Sequence, residues 1–219
     1  MIAQNIEKIN ELLPKNVHLI AVSKTKPSVD LLEAYYAGQR DFGENKVQEM
    51  CAKEVILPKD ICWHLIGHLQ TNKVKFIAPF VHLIHSVDSL KLLLEINKQA
   101  IKNNRIINVL LQFHIALEET KFGLTLQEAI NLINSKEFKT CKNINIVGVM
   151  GMASFVEDEA QIRTEFRRLK SIFVDLQKKY FSNKPDFREI SMGMSSDYGI
   201  AIEEGSTLIR VGSSIFGGR

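Results

Sequence analysis

The feature of this sequence that most restricts its fold is a regular alternation between short apolar runs and amphipathic helical patterns. Apolar runs typical of buried strands occupy 17–24, 40–43, 62–67, 81–87, 106–115, 144–151, 187–192 and 207–211. A helical pattern follows most of them, and the clearest runs from Asp158 to about Tyr180. Eight strand–helix units of about 25 residues predict an α/β fold, a single (β/α)8 TIM barrel near the short end of its usual size. A doubly wound open sheet is the alternative, but it usually has about five or six strands.

The rest of the composition predicts one domain, residues 1–219, in the cytoplasm. No linker, low-complexity segment or charge block marks a second domain. The formal net charge of +3 is too small to indicate binding to nucleic acid or to a membrane surface. The N-terminal segment predicts an amphipathic helix and not a signal peptide, because Glu7 and Lys8 interrupt its apolar residues. The three cysteines are widely spaced, which fits a reducing compartment.

The first apolar run ends in two lysines, one residue apart. Side chains alternate faces along a strand, so Val22, Lys24 and Lys26 are expected on one face. A lysine at the inner end of a buried strand is costly unless its amine is used. Burial favours the neutral, nucleophilic amine that forms a Schiff base, so Lys24 is a candidate for such chemistry. The alternative is a Lys24 side chain that extends from the strand end into solvent.

Two glycine- and serine-rich turns follow the seventh and eighth predicted strands, at 193–196 and 212–214. The loops at these two places often bind phosphate in barrels, and such turns offer backbone N–H groups and hydroxyls to an anion. Glycine and serine are also ordinary turn residues, so either turn alone is a weak signal. A Schiff-base lysine combined with a phosphate site indicates pyridoxal 5′-phosphate (PLP), an aldehyde that carries a phosphate.

Arg210 lies two residues before the second turn, where it could donate a hydrogen bond to the pyridine nitrogen of PLP. An arginine partner leaves that nitrogen unprotonated and weakens the cofactor as an electron sink, which disfavours carbanion chemistry. The alternative for Arg210 is an ordinary surface or salt-bridging arginine.

Several segments of the chain together resemble a known family. They are AVSKTKP at 21–27, FGEN at 42–45, WHLIG at 63–67 with LQTNK at 69–73, SMGMS at 191–195, and GST, RVG and IFG between 205 and 217. In this order, and over nearly the whole chain, they are similar to the motifs of the pyridoxal phosphate homeostasis (YggS/PROSC) family. The barrel of that family is similar to the N-terminal barrel of bacterial alanine racemase.

The resemblance implies a site for each part of the cofactor. Lys24 would carry it, Arg210 would face the ring nitrogen, and the two glycine- and serine-rich turns would hold the phosphate. Asn45 and His64 match positions that line the pocket of the family. The implied cofactor-binding residues are therefore Lys24, Asn45, His64, Ser195, Arg210, Gly212 and Ser213.

Two further positions bear on the resemblance. Lys121 matches a second lysine that the family can place near the cofactor. His68 is a departure, because many relatives have proline there.

The resemblance implies a non-enzymatic, monomeric carrier that binds and buffers PLP in vitamin B6 homeostasis and delivers it to apo PLP-dependent enzymes. The alternative is a PLP-dependent amino-acid racemase, which needs two bases on opposite faces of its substrate. Racemases with this barrel take one base from a C-terminal domain of a partner subunit. We expect no such domain here, because the chain stops just after the eighth strand.

Two other classes of site are less favoured. A cofactor-free Schiff-base aldolase acting on a phosphosugar would use the same lysine and phosphate turns. No metal site is expected, because His64 and His68 fall on a strand and a turn, and His82 and His85 fall on opposite sides of a strand.

Overall fold

Each apolar run predicted from the sequence forms a strand, and the strands close into a barrel. A computed structural model describes residues 1–117 and 122–218. Eight parallel strands pair in sequence order, and the last pairs with the first through the register His18↔Leu208 to Ala21↔Val211. The strands are β1 (His18–Val22), β2 (Asp41–Glu44), β3 (Cys62–Leu65), β4 (Leu83–Val87), β5 (Ile107–Phe113), β6 (Ile144–Gly151), β7 (Glu189–Ser191) and β8 (Leu208–Val211). The predicted (β/α)8 barrel is confirmed.

Helices surround the barrel and join its strands. They are α1 (Ile2–Leu12), α2 (Ser28–Tyr36), α3 (Val47–Ile56), α4 (Val74–Ile77), α5 (Leu90–Lys102), α6 (Leu126–Asn134), α7 (Lys136–Lys139), α8 (Glu159–Tyr180), α9 (Tyr198–Glu203) and α10 (Ser213–Phe216). Capping side chains fix several helix starts; in α6 the Thr125 hydroxyl and the Glu128 carboxylate form a reciprocal capping box. None of the helices in the described ranges combines the length and apolarity that a membrane crossing requires.

Buried apolar side chains form two layers. The outer layer lies between the sheet and the helices, where Phe42 and Trp63 of the sheet join Phe166 of α8 in one cluster. A smaller cluster fills part of the barrel interior with Ile20, Leu83, Leu110, Val147, Met150 and Leu208. Alternation along each strand sends neighbouring residues to these two layers, which is why the strands are apolar on both faces.

Several strands end two residues earlier at their carboxyl ends than the apolar runs predicted. β1 ends at Val22, because Thr25 has a φ of +65°, which a strand cannot contain. β3 likewise ends at Leu65, before Ile66 and Gly67. The residues released from the sheet form the loops at the carboxyl-terminal end of the barrel.

A buried ion pair joins β1, β2 and α3 just below those loops. The Lys53 amine uses all three of its N–H groups, on Glu44 Oε1 at 2.7 Å, Glu49 Oε1 at 2.8 Å and the Ser23 carbonyl at 2.8 Å. The Ser23 hydroxyl also donates to Glu44 Oε1 at 2.6 Å. Burial raises the pKa of Glu44, and the hydrogen bonds from Lys53 and Ser23 act in the opposite direction. Loss of either Lys53 or Glu44 would therefore leave the other charge buried without its partner and would destabilise the fold.

Replacing Lys53 by methionine should lower the free energy of unfolding by about 3–5 kcal/mol, because Glu44 is left buried without its counter-charge. The matched control is Lys59→Met. Lys59 forms an exposed pair with Glu54, so its loss should cost about 0–1 kcal/mol. Chemical denaturation of both variants measures the difference.

The double variant Lys53→Met/Glu44→Gln should recover part of the loss, since it removes the uncompensated charge. Equal stability of Lys53→Met and Lys59→Met would show that the buried pair is not important for folding.

Candidate functional site

A cavity of about 530 Å³ opens at the carboxyl-terminal ends of the strands. It lies where barrel enzymes carry their sites, between the loops that follow the strands. Its described lining is Val22, Lys24, Thr25, Lys26, Asn45, Ile66, Met152, Phe155, Met194, Ser195, Ser196, Arg210, Gly212, Ser213, Ser214, Gly217 and Gly218. Six of the seven site residues predicted from the sequence are in this set.

Hydrogen bonds on both sides of Lys24 fix the backbone from which its side chain enters the cavity. The Ser23 hydroxyl is bonded to Glu44, and the Thr25 N–H donates to Glu49 Oε1 at 2.6 Å. The positive φ of Thr25, unusual for a β-branched residue, turns the chain at this point. The Lys24 side chain is half-buried, and its amine has no hydrogen-bond or ion-pair partner among the described residues.

Lys26 lines the same cavity, but so does Thr25, because the alternation expected of a strand does not continue past Val22. The amine of Lys26 is fully engaged. It donates to the carbonyls of Phe216, Gly217 and Gly218 at 3.0–3.1 Å. These carbonyls end α10, so Lys26 ties the first loop to the end of the chain. Of the two lysines, Lys24 is therefore the one with a free amine.

Arg210 is buried at the floor of the cavity. Its guanidinium donates to Ser191 Oγ at 2.6 Å and to the Gly151 carbonyl at 3.1 Å. Burial lowers the pKa of Arg210 to about 10, and the negative charge of Asp197 acts in the opposite direction. Arg210 thus remains charged at neutral pH, and the alternative of a surface arginine does not hold.

The two glycine- and serine-rich turns meet beside Arg210. The Gly212 N–H donates to Ser195 Oγ at 3.2 Å, which joins the turn after β7 to the turn after β8. Gly193 has a φ of +94°, a conformation that favours glycine and starts the first turn. Ser213 begins α10 and also lines the cavity. Hydroxyls and backbone N–H groups therefore converge on one wall.

Asn45 follows β2 and completes the polar lining. Gly67, after β3, lies directly against it: a Cβ at Gly67 would come within 2.3 Å of the Asn45 carbonyl oxygen. This contact explains why the residue after Ile66 is glycine, and it fixes where Asn45 enters the cavity.

His64 does not line this cavity, which corrects the expectation drawn from the sequence. It is the third residue of β3, and it lines a second cavity at the amino-terminal ends of the strands. Ile66, two residues further along, is the residue that reaches the cavity from this part of the chain.

Instead, His64 belongs to a chain of hydrogen bonds that crosses the barrel interior. Arg210 Nη1 lies 2.6 Å from Ser191 Oγ, which lies 2.8 Å from His85 Nδ1. His85 Nε2 lies 3.0 Å from His64 Nδ1, and His64 Nε2 lies 2.9 Å from Asp41 Oδ1. All of these residues except Asp41 are buried. We call this chain the interior relay.

One assignment of protons gives every hydrogen atom of the interior relay an acceptor. A guanidinium only donates, so Ser191 accepts from Arg210, and in this assignment its own hydroxyl proton points toward His85 Nδ1. His85 then carries its proton on Nε2 and donates to His64, which donates through Nε2 to the Asp41 carboxylate. Burial, followed by the nearby charges, lowers the pKa of His85 well below its ordinary value, which agrees with a neutral ring.

Comparison with known proteins identifies the family. The family model described as "Alanine racemase, N-terminal domain" matches residues 1–219. A pyridoxal phosphate homeostasis protein of Aquifex aeolicus is 40% identical over 203 residues, which are 92% of this chain and 86% of the relative. The chain belongs to the pyridoxal phosphate homeostasis protein family.

Solved structures include a barrel that is similar to this one. PipY of Synechococcus elongatus, solved without PLP, is 35% identical and superposes with a TM-score of 0.92 over 99% of this chain and 100% of that chain. PipY solved with PLP bound superposes with a TM-score of 0.88 at the same identity and coverage. The resemblance read from the motifs is confirmed.

The two further positions noted in the sequence are Lys121 and His68. Lys121, the second lysine of the family, lies outside the described residues. His68, the departure from the family, stacks its ring on Phe122 with centroids 4.5 Å apart, and its Nδ1 lies 3.5 Å from Asp88 Oδ2. The histidine therefore makes contacts that proline cannot make.

Sequence reasoning missed Asp41, His85 and Ser191. Each is a polar residue at an inward-facing strand position, where a packed barrel usually has apolar side chains. That pattern is visible in the sequence, but it does not show which polar residues meet across the barrel.

Ser191→Ala should lower the free energy of unfolding by about 1–3 kcal/mol, because Arg210 loses an acceptor and His85 loses a donor in a buried site. Ser86→Ala is the matched control. Ser86 is equally buried, but its hydroxyl has no partner among the described residues, so its removal should cost less than about 0.5 kcal/mol. Thermal and urea denaturation compare them, and equal losses would argue against the interior relay.

Proposed function

We propose that this protein binds PLP in the cavity at the carboxyl-terminal ends of the strands and acts as a non-enzymatic carrier and buffer of PLP. One observation carries the proposal. The amine of Lys24, which has no partner within residues 1–117 and 122–218, shares a cavity with the buried guanidinium of Arg210 and with the wall formed by Ser195, Gly212 and Ser213.

The residues of the cavity fit the cofactor. When bound, PLP supplies an aldehyde that can bond to an amine, a ring nitrogen that accepts a hydrogen bond, and a phosphate. Lys24 offers the amine, and Arg210 offers a donor for the ring nitrogen. The wall of Ser195, Gly212 and Ser213 offers hydroxyls and backbone N–H groups to the phosphate. The PLP-bound structure of PipY supports the same fit in a relative.

Arg210 favours binding over carbanion chemistry. Its guanidinium is charged and already oriented by Ser191 and Gly151. A guanidinium donates to a ring nitrogen without transferring a proton, so it does not strengthen the electron sink that racemisation uses.

The part of the cavity lining that the structure describes contains no second free base. Among the described lining residues the only amines are those of Lys24 and Lys26, and none of these residues carries an imidazole, carboxylate or phenol. Lys26 is held by three carbonyls. This arrangement supports a carrier over an amino-acid racemase, which needs a base on each face of its substrate.

The setting of this function follows from the same proposal. The proposed partners are the apo PLP-dependent enzymes that receive PLP. We also propose that residues 1–219 act as one domain and that the protein is a monomer. Cys51, Cys62 and Cys141 are free thiols, which supports a reducing compartment such as the cytoplasm.

Lys24→Ala should abolish the visible absorption band of protein-bound PLP and weaken PLP retention at least about tenfold, which is about 1.4 kcal/mol. Lys26→Ala is the control and should keep the band, because its amine is occupied elsewhere. Borohydride reduction followed by peptide mass spectrometry locates the covalent attachment. A band that persists in Lys24→Ala would transfer the anchor to Lys26 or Lys121.

Incubation of the PLP-loaded protein with amino acids in deuterium oxide separates carrier from racemase. The carrier should add no deuterium at the α-carbon beyond that produced by free PLP. Exchange that is faster than this background, and is lost in Lys24→Ala, would establish the racemase instead.

A further inference from the structure

The amino-terminal end of the barrel contains a second cavity, of about 540 Å³, that the proposed carrier function does not use. Its wall includes Asp41, Cys62, His64 and His82. In barrels this end usually contributes to stability, and it is normally closed by packed side chains. The described wall also contains His18, Asp186, Arg188 and Glu189, so many titratable groups line a cavity at the end of the barrel that usually serves stability.

We propose that this cavity binds a borderline-soft divalent cation, with Zn²⁺ as the best-fitting ion, through Asp41, Cys62 and His82. One carboxylate oxygen, the thiol sulfur and one imidazole nitrogen of these residues all lie within 4.8 Å of one another. Thiolate with imidazole is the donor combination that selects zinc over magnesium or calcium.

The backbone brings the three ligands together on adjacent strands. Asp41 and Cys62 are direct partners in the register of β2 and β3. The His82 N–H donates to the Trp63 carbonyl at 2.9 Å, which fixes the lead-in to β4 beside β3. Ligands placed on a sheet in this way are more rigidly held than ligands on loops.

Only a small adjustment separates this arrangement from a tetrahedral site. With bonds of about 2.0–2.3 Å, the ligand atoms of a zinc site lie about 3.3–3.8 Å apart. His82 is exposed, and Asp41 and Cys62 are half-buried, so none of the three side chains is enclosed in the packed core. The fourth coordination position would face the cavity and remain open to water or to a small anion, as in open zinc sites.

His64 supports the proposed site without being one of its ligands. Its Nε2–H donates to Asp41 Oδ1 at 2.9 Å and leaves the other carboxylate oxygen of Asp41 available. A hydrogen bond between histidine and a ligating carboxylate is a recurring way to orient metal ligands.

The cation site also connects with the interior relay, because Asp41 belongs to both. A cation bound to the Asp41 carboxylate would make this carboxylate a weaker hydrogen-bond acceptor for His64. His64 and Arg210 belong to the same interior relay, which begins with the hydrogen bond from Arg210 to Ser191. Metal binding at one end of the barrel should therefore alter the environment of the cofactor ring at the other. This consequence rests on the proposed PLP site, whereas the cation site itself does not.

Titration of the full-length protein with Zn²⁺, and with Co²⁺ as a spectroscopic substitute, tests the proposal. We expect one ion per chain and a near-ultraviolet thiolate–cobalt absorption band. Cys62→Ser should remove that band, and Cys62→Ser, Asp41→Asn and His82→Asn should each weaken Zn²⁺ binding at least about 100-fold.

Matched controls separate this site from general metal binding by surface groups. Cys51→Ser and Cys141→Ser remove the other two free thiols, and His18→Asn changes a residue of the cavity wall that is not a proposed ligand. All three should bind Zn²⁺ within about threefold of the unaltered protein. Binding that is absent, or that survives all three ligand substitutions, would overturn the proposal.

The link to the cofactor has a separate readout. Saturation with Zn²⁺ should shift the absorption spectrum of bound PLP in the unaltered protein but not in Ser191→Ala, in which the interior relay is cut. If Zn²⁺ binds at Cys62 but the PLP spectrum does not change, the connection is rejected. If PLP itself does not bind, the proposed function fails, and the Co²⁺ spectrum still decides the cation site.

Discussion

The interior of this barrel depends on a buried guanidinium that can donate hydrogen bonds but cannot accept them. Because Arg210 can only donate, Ser191 accepts from it, and the assignment in which every hydrogen of the chain has an acceptor turns the Ser191 hydroxyl toward His85. The carboxylate of Asp41, at the other end, is the final acceptor in that assignment. The buried Arg210 is thus connected by hydrogen bonds to a half-buried carboxylate, which offsets part of the cost of burying the guanidinium.

A second polar network fixes the backbone on either side of Lys24. Lys53 joins the carboxylates of Glu44 and Glu49 to the end of β1, and Glu49 also accepts from the N–H of Thr25. These bonds compensate for the positive φ of Thr25, a conformation that costs about 1–3 kcal/mol. The two networks do not share residues. One holds the backbone on either side of Lys24, and the other holds the guanidinium of Arg210.

The sequence predicted the features that depend on local pattern. The eight apolar runs led to the barrel, and the position of Lys24 after the first run led to the cavity. The expectation for His64 came from the resemblance to the family, and a matched motif does not show toward which end of the barrel a side chain points. The approach of His64 to His85, and of Asp41 to Cys62, depends on the register between neighbouring strands. A single sequence does not contain that register, so the relay and the cation site were not predictable from it.

Closure of the sheet brings this column of polar residues together. In a closed barrel the inward-facing side chains of all strands share one interior, so residues of β2, β3, β4, β7 and β8 can meet there. Here a column of polar residues replaces part of the apolar packing that normally fills a barrel of this size. Each member of the column has a hydrogen-bond partner, which offsets the cost of burying polar groups. Because these bonds form one continuous chain, a change in the acceptor at Asp41 is expected to alter the hydrogen bonding of His64 first and that of Arg210 last.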